Sequence, residues 1–236
     1  MNHSLELKIP KTLRNIRLHQ WVKFLDIYEK NKDSENQEFL NKKVLEIFCG
    51  VSLKEIYKIP ISSFDAVLSH IYNLLNSNTP LIRTFKLKGV DDVEVEFGFI
   101  PNLDKMSYGE WEDLENYIHE PKNLHKAMAV LYRPIAFKKK DRYLIHEYKG
   151  SEEYSEVMKD MPIDVALGAK VFFYRLARKL GDYTMAYTLK ELQEREENHL
   201  NEDSEKNGEV IKQYLNSLEV MSEKLTRLQS FQYTNV

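Results

Sequence analysis

The chain has 236 residues and a mass of 28.0 kDa, enough for one large domain or two small ones. With 42% hydrophobic and 30% charged residues, 8 Gly and 7 Pro, it is excluded from the disordered, collagen-like and membrane-dominated classes and reads as a globular protein. A formal net charge of −3 and a pI near 6.2 supply no overall field toward nucleic acid or an anionic membrane. The acidity is local, because residues 191–209 carry eight acids and two bases and leave the remainder at net +3.

The opening Leu5-x-Leu7-x-Ile9 alternates with period two before Pro10 and predicts a short strand over 4–9. The period then lengthens: Trp21, Phe24, Leu25 and Tyr28 recur at helical spacing and predict a helix from about Arg14. A second helix carries Phe39, Leu40, Val44, Ile47 and Phe48 and should end at Gly50. Ser52-x-x-Glu55 is a capping box for a helical turn, and Ser63 is placed to cap a helix from Phe64 to about Leu75. Between Leu81 and Phe99 alternation returns, with Phe85, Leu87, Val93, Val95 and Phe97 facing one way around Gly89-Val90-Asp91-Asp92, a hairpin signal.

Ser107-x-x-Glu110 is another capping box, whose helix continues through Leu114 to Ile118. A helix over Leu124 to Tyr132 is expected to stop before Pro134, and Tyr143-Leu144-Ile145 reads as a short extended piece. Ser151 begins a polar helix. Pro162 opens the most apolar helix, with Val165, Ala169, Phe172, Leu176 and Leu180 on one side and Leu167, Val171 and Phe173 covering much of the rest. That helix is the expected centre of the core, with Lys170, Arg175 and Arg178 on its wet edge. The acidic run 191–209 is expected to be a solvated linker or polar helix. Beyond it, Ile211, Tyr214, Leu218, Met221, Leu225 and Leu228 step alternately by three and four residues, a coiled-coil-like seam that wants either its own domain or another chain as partner.

The chemistry-bearing residues mostly remove activities. The glycines are never closer than nine residues apart, so neither a dinucleotide fingerprint nor a P-loop can be written, and GxSxG does not occur. Cys49 lies in the apolar run Val44-Leu45-Glu46-Ile47-Phe48-Cys49 and is expected to be a buried, inert thiol, with no second cysteine for an internal disulfide. The start of the chain lacks an apolar h-region, and the densest apolar stretch, Val165 to Tyr174, falls short of a membrane span, so the expected place of synthesis is a reducing cytoplasm. The best metal-like grouping is Glu115, His119 and His125, without HExxH or CxxC spacing, and a structural role is the preferred reading. Lys138-Lys139-Lys140-Asp141-Arg142, with Arg133 upstream, is the sole candidate for phosphate contact and is read as a solvated turn. No cofactor and no catalytic residue is expected.

The blocks MSYGEWEDLENYI (from Met106), LHKAMAVLYRPI, YLIHEYKG and MPIDVALGAKVFFYRLARKL (to Leu180) resemble, in that order, small proteins encoded among the virion and tail genes of tailed bacteriophages. The resemblance implies a tail assembly chaperone-like factor, non-enzymatic, acting in the host cytoplasm on a helical client such as the tape-measure protein, with a structural neck or tail protein of the virion as the alternative. The expected partners are accordingly a phage structural protein and a possible second copy, with no nucleic acid and no membrane, and the expected contact residues are those of the 211–228 seam. The expected fold is a predominantly helical α+β domain over 1–190 with one small antiparallel sheet, an acidic linker at 191–209, and an amphipathic helix at 210–230.

Overall fold

The computed structural model describes residues 7–31, 36–88, 93–173 and 175–176. The chain divides into two units, Met1–Ala169 and Lys170–Val236. Of the second unit, residues 170–173 and 175–176 are described and helical; the rings of Phe172 and Phe173 meet edge-on and Arg175 is exposed. The acidic run and the seam lie outside the described residues, as does Arg178.

The first unit is a predominantly helical α+β assembly around one four-stranded antiparallel sheet. After a short 3-10 turn (Leu13–Asn15), α1 (Leu18–Asn31) buries Leu18, Trp21, Phe24 and Leu25, as the helical spacing predicts. The helix α2 (Gln37–Cys49) packs across α1, where Phe24 and Phe48 meet at 5.4 Å. It ends at Gly50, whose φ of 68° a side chain would strain. The short α3 (Leu53–Ile56) has the expected Ser52/Glu55 box, with the Glu55 carboxylate accepting from the Ser52 N–H at 2.8 Å. The helix α4 (Ile61–Leu75) starts earlier than predicted. Pro60 takes the cap position and supplies a fixed φ of −55°, so Ser63 sits in the first turn and caps nothing.

The sheet runs in the order β1 (Thr84–Lys88), β2 (Glu94–Phe99), β3 (Tyr132–Lys139), β4 (Arg142–Ile145). The predicted strand at 4–9 is corrected in its described part: residues 7–10 carry no regular structure and do not join the sheet, and His70 Nε2–H instead donates to the Pro10 carbonyl at 2.9 Å. Between β2 and β3 the chain leaves the sheet for α5 (Tyr108–Ile118) and α6 (Leu124–Leu131). The latter stops one residue short of its predicted end. Tyr132 is already extended, and β3 runs through Pro134 rather than halting before it. Pro134 is tolerated because its carbonyl accepts from the His146 N–H at 3.0 Å, so its donor-less nitrogen looks to the side where β4 has ended.

One sheet face carries the core. Phe85 and Phe97 stack at 5.7 Å, Tyr132 stands edge-on to Phe85 and Phe99, and its hydroxyl donates to the Ile82 carbonyl at 2.8 Å. Tyr154, on α7 (Glu152–Met158), meets Phe97 edge-on. Val93, expected on this face, is exposed, since it precedes the first paired residue of β2. On the other face Gly98 leaves room for the ring of Tyr143, which crosses from β4 and donates to the Phe99 carbonyl at 2.8 Å.

The apolar helix begins at residue 163. Ile163, Val165, Ala166 and Ala169 are fully enclosed, in keeping with its expected central place. Gly168 is required there: a Cβ would lie 2.2 Å from the Pro80 carbonyl oxygen. Just before this helix, residues 159–163 run beside 16–19. Leu18 N–H donates to Met161, His19 N–H to Lys159, and Ile163 N–H to Ile16, with an Arg17–Pro162 bridge between them.

Candidate functional site

Among the described residues the most concentrated buried polar chemistry lies between α5, β3 and the segment after β4. The helix α5 is started by the Ser107/Glu110 box: Ser107 Oγ accepts from the Glu110 N–H, and Glu110 Oε2 accepts from the Ser107 N–H at 2.7 Å. Glu110 and Leu114 form its buried inner face. Tyr108 and Trp111, two residues before and one after Glu110, are turned away from that face and are 79% and 54% exposed.

The second residue of β3, Arg133, reaches back to α5. Its Nη2 donates to Glu110 Oε1 at 2.6 Å, and the two side chains are only 7% and 8% exposed. The guanidinium carbon lies 5.4 Å from the ring centroid of Tyr148, and the Tyr148 hydroxyl donates to the Asp113 carboxylate one turn along α5. Burial pushes the Glu110 carboxyl upward, but the hydrogen bonds from Ser107 and the Arg133 charge outweigh it and hold the group below its ordinary value. Burial, reinforced by the Asp113 carboxylate, pushes the Tyr148 phenol well above its ordinary range. Both Glu110 oxygens are engaged and Arg133 is committed to Glu110 and Tyr148, so the cluster is a brace that fixes the orientation of α5. Within it, Arg133 Nε is buried and meets no acceptor.

The sequence-predicted candidates fall elsewhere. Glu115 and His119 lie exposed toward the end of α5, whereas His125 is half-buried on α6 beside Lys159 and Glu156. They do not converge, and no group of three or more metal-capable side chains occurs among the described residues. Cys49 is buried, with its thiol pushed up to about 11 by desolvation, which keeps it protonated at neutral pH. It lines a groove of about 580 Å³ with Lys8, Pro10, Gln20 and Phe48.

The basic cluster is exposed throughout, as a solvated turn requires, and its turn closes a hairpin. Lys138 and Lys139 end β3, Lys140 and Asp141 make a two-residue turn, and Arg142 begins β4. Arg133 is separated from that cluster altogether by its burial against Glu110. The seam residues Ile211, Tyr214, Leu218, Met221, Leu225 and Leu228 are outside the described residues. No helix among the described residues is long and apolar enough to cross a membrane. Comparison of the chain with protein-family models, curated proteins and solved structures returns no match.

The brace was illegible in the sequence because its two charges sit on elements joined only by tertiary packing. Glu110 was visible as a capping residue; nothing in local spacing tied it to Arg133.

Proposed function

We propose that this chain is a non-enzymatic assembly factor that binds the amphipathic helix of a client protein, in the manner of a phage tail assembly chaperone acting on a tape-measure protein in the host cytoplasm. The observation that carries this reading is the outer face of α5. Two large aromatic rings, Tyr108 and Trp111, stand in solvent on a helix whose inner face is locked by a buried ion pair. Tyrosine and tryptophan dominate the energetics of protein contacts because they bury much area at little entropic cost. A face fixed in advance loses less freedom on binding than a mobile one. Covering a client's apolar stripe would keep it from aggregating and requires only mass action. The order of sequence blocks that resembles phage virion-region proteins begins with the segment that forms this helix.

The test is co-expression with a long helical tail protein, followed by titration of the purified pair. Trp111→Ala should weaken binding by about 2 kcal/mol, roughly thirtyfold, with little change in stability. Trp21 is buried in both states, so a blue shift of the emission on binding reports Trp111. Unchanged affinity in Trp111→Ala and Tyr108→Ala would overturn the assignment to this face. Stoichiometric copies of the protein in purified virions would favour a structural neck or tail subunit instead.

A further inference from the structure

The hairpin of β3 and β4 carries a second surface, separate from α5. Its register is Ile135↔Ile145, Phe137↔Leu144, Lys138↔Tyr143 and Lys139↔Arg142, with one extra residue between Ile135 and Phe137. That bulge decides which side chains share a face. Lys138 pairs with Glu96 and Tyr143 covers Gly98, so both lie on the face away from the core, where Lys86 is also matched by Glu94. Phe137, Leu144, Lys139 and Arg142 therefore share the opposite face, at the end of the hairpin that extends past the core.

On that face the matching stops. Phe137 and Leu144 are 60% and 64% exposed, though they form a directly opposed apolar pair. The next position outward opposes Lys139 to Arg142, two like charges in direct register, an arrangement that destabilises a sheet. Neither has an acidic partner among the described residues, and Asp141 in the turn pairs with neither. The neighbouring face of the same hairpin satisfies its charges, so this side is not merely a generic solvated surface. Among the described residues the strand bearing Leu144 and Arg142 is also an edge of the sheet, with no strand along its outer row of backbone groups.

We propose that β4 accepts an extended acidic segment of another protein as a fifth strand, its apolar residues resting on Phe137 and Leu144 and its carboxylates neutralising Lys139 and Arg142. The free strand edge selects a peptide over a lipid or nucleic-acid phosphate, since only a peptide backbone can continue the ladder. The proposal rests on the reading of the chain as a protein-binding factor but uses a different surface from Tyr108 and Trp111.

The experiment titrates the full chain with a short fluorescein-labelled peptide of the repeat Val-Ser-Glu-Ser, which places valine and glutamate in turn on one face of an added strand. Phosphatidylglycerol vesicles, a single-stranded DNA oligonucleotide and the same peptide with lysines for glutamates serve as parallel probes. The expected result is saturable binding of the acidic peptide that weakens with salt, shifts the backbone amides of residues 142–145, and falls at least about tenfold in Arg142→Glu and in Phe137→Ser. Both positions are exposed beyond the core, so circular dichroism of the variants should match the parent and neither melting temperature should fall, that of Arg142→Glu rising slightly as the like-charge pair is relieved. No saturable binding, equal binding of the lysine peptide, insensitivity to both substitutions, or engagement of these residues by vesicles or DNA while the peptide stays inert would each overturn the proposal. If a helical client still binds Arg142→Glu through Trp111 while the acidic peptide fails to bind the parent, strand addition falls and the α5 reading stands.

Discussion

Glu110→Gln removes one buried charge while leaving the N-cap largely intact, because glutamine at this position can still accept from the Ser107 N–H. The loss should therefore come from Arg133, whose guanidinium is 7% exposed and would keep its charge with no anion opposite. Stranding one member of a buried pair costs about 3 to 5 kcal/mol. Since the Tyr148 ring beside the guanidinium offers partial compensation, the lower end, about 3 kcal/mol, is expected here. For a unit of this size that corresponds to a fall in melting temperature of roughly 6 to 12 °C. The decisive comparison is Glu110→Gln/Arg133→Met, in which neither charge is buried: it should cost only about 1 kcal/mol, giving a coupling of about 2 kcal/mol or more in a urea-melt double-mutant cycle. The parent's advantage over Glu110→Gln should also depend on pH. The native Glu110 carboxyl lies below its unfolded value of 4.5, so the advantage is complete above that value and is lost as pH falls through the native one. Additive losses in the double variant, or a loss below about 1 kcal/mol in Glu110→Gln, would refute the brace.

Gly98→Ala drives a methyl to 2.5 Å from the Tyr143 ring and should cost about 1 to 3 kcal/mol by denaturant melts, with recovery of part of it in Gly98→Ala/Tyr143→Ser. Lys140 holds φ at 55°, so Lys140→Gly should raise stability by about 0.5 to 1 kcal/mol; a loss would show that the turn is not strained. The His125 imidazole is held below its ordinary 6.5 by burial first and then by Lys159 and Lys126, against Glu156 and the Lys122 backbone. The unfolded chain thus takes up the proton first, and stability should be constant above about pH 7 and decline as pH falls toward the native value. His125→Gln should flatten that portion of the profile, and an unaltered decline would assign it to other groups.

The elements legible in the sequence were those specified by a few neighbouring residues. Both capping boxes, the Gly50 terminus, the buried stripe of Trp21, Phe24 and Leu25, and the Phe85/Phe97 hairpin face all follow from interactions within or next to one element. The errors arose where tertiary context decided. Leu5-x-Leu7-x-Ile9 offers too few alternations to secure a strand, and its described residues 7–9 join no ladder. Pro134 reads as a stop signal, yet its missing donor coincides with the end of β4. The charges from 138 to 142 read as a solvated turn, and Lys140 and Asp141 make one; what spacing does not show is that the bulge after Ile135 sorts the flanking charges onto two faces of a hairpin, since a bulge has no reliable local signature. Of the site, only the Ser107/Glu110 cap could be read in advance; the outward display of Tyr108 and Trp111 depends on which side of α5 the Arg133 pair captures.

The ladder between residues 16–19 and 159–163 sets a condition on how the protein is made. On the ribosome, Ile16 and Leu18 emerge early but cannot find their backbone partners until nearly the whole first unit has been translated. Until then the backbone at the start of α1 lacks its partners. Nascent chains arrested before residue 163 should therefore be protease-sensitive around α1, and a modest further extension past the exit tunnel should bring protection in one step.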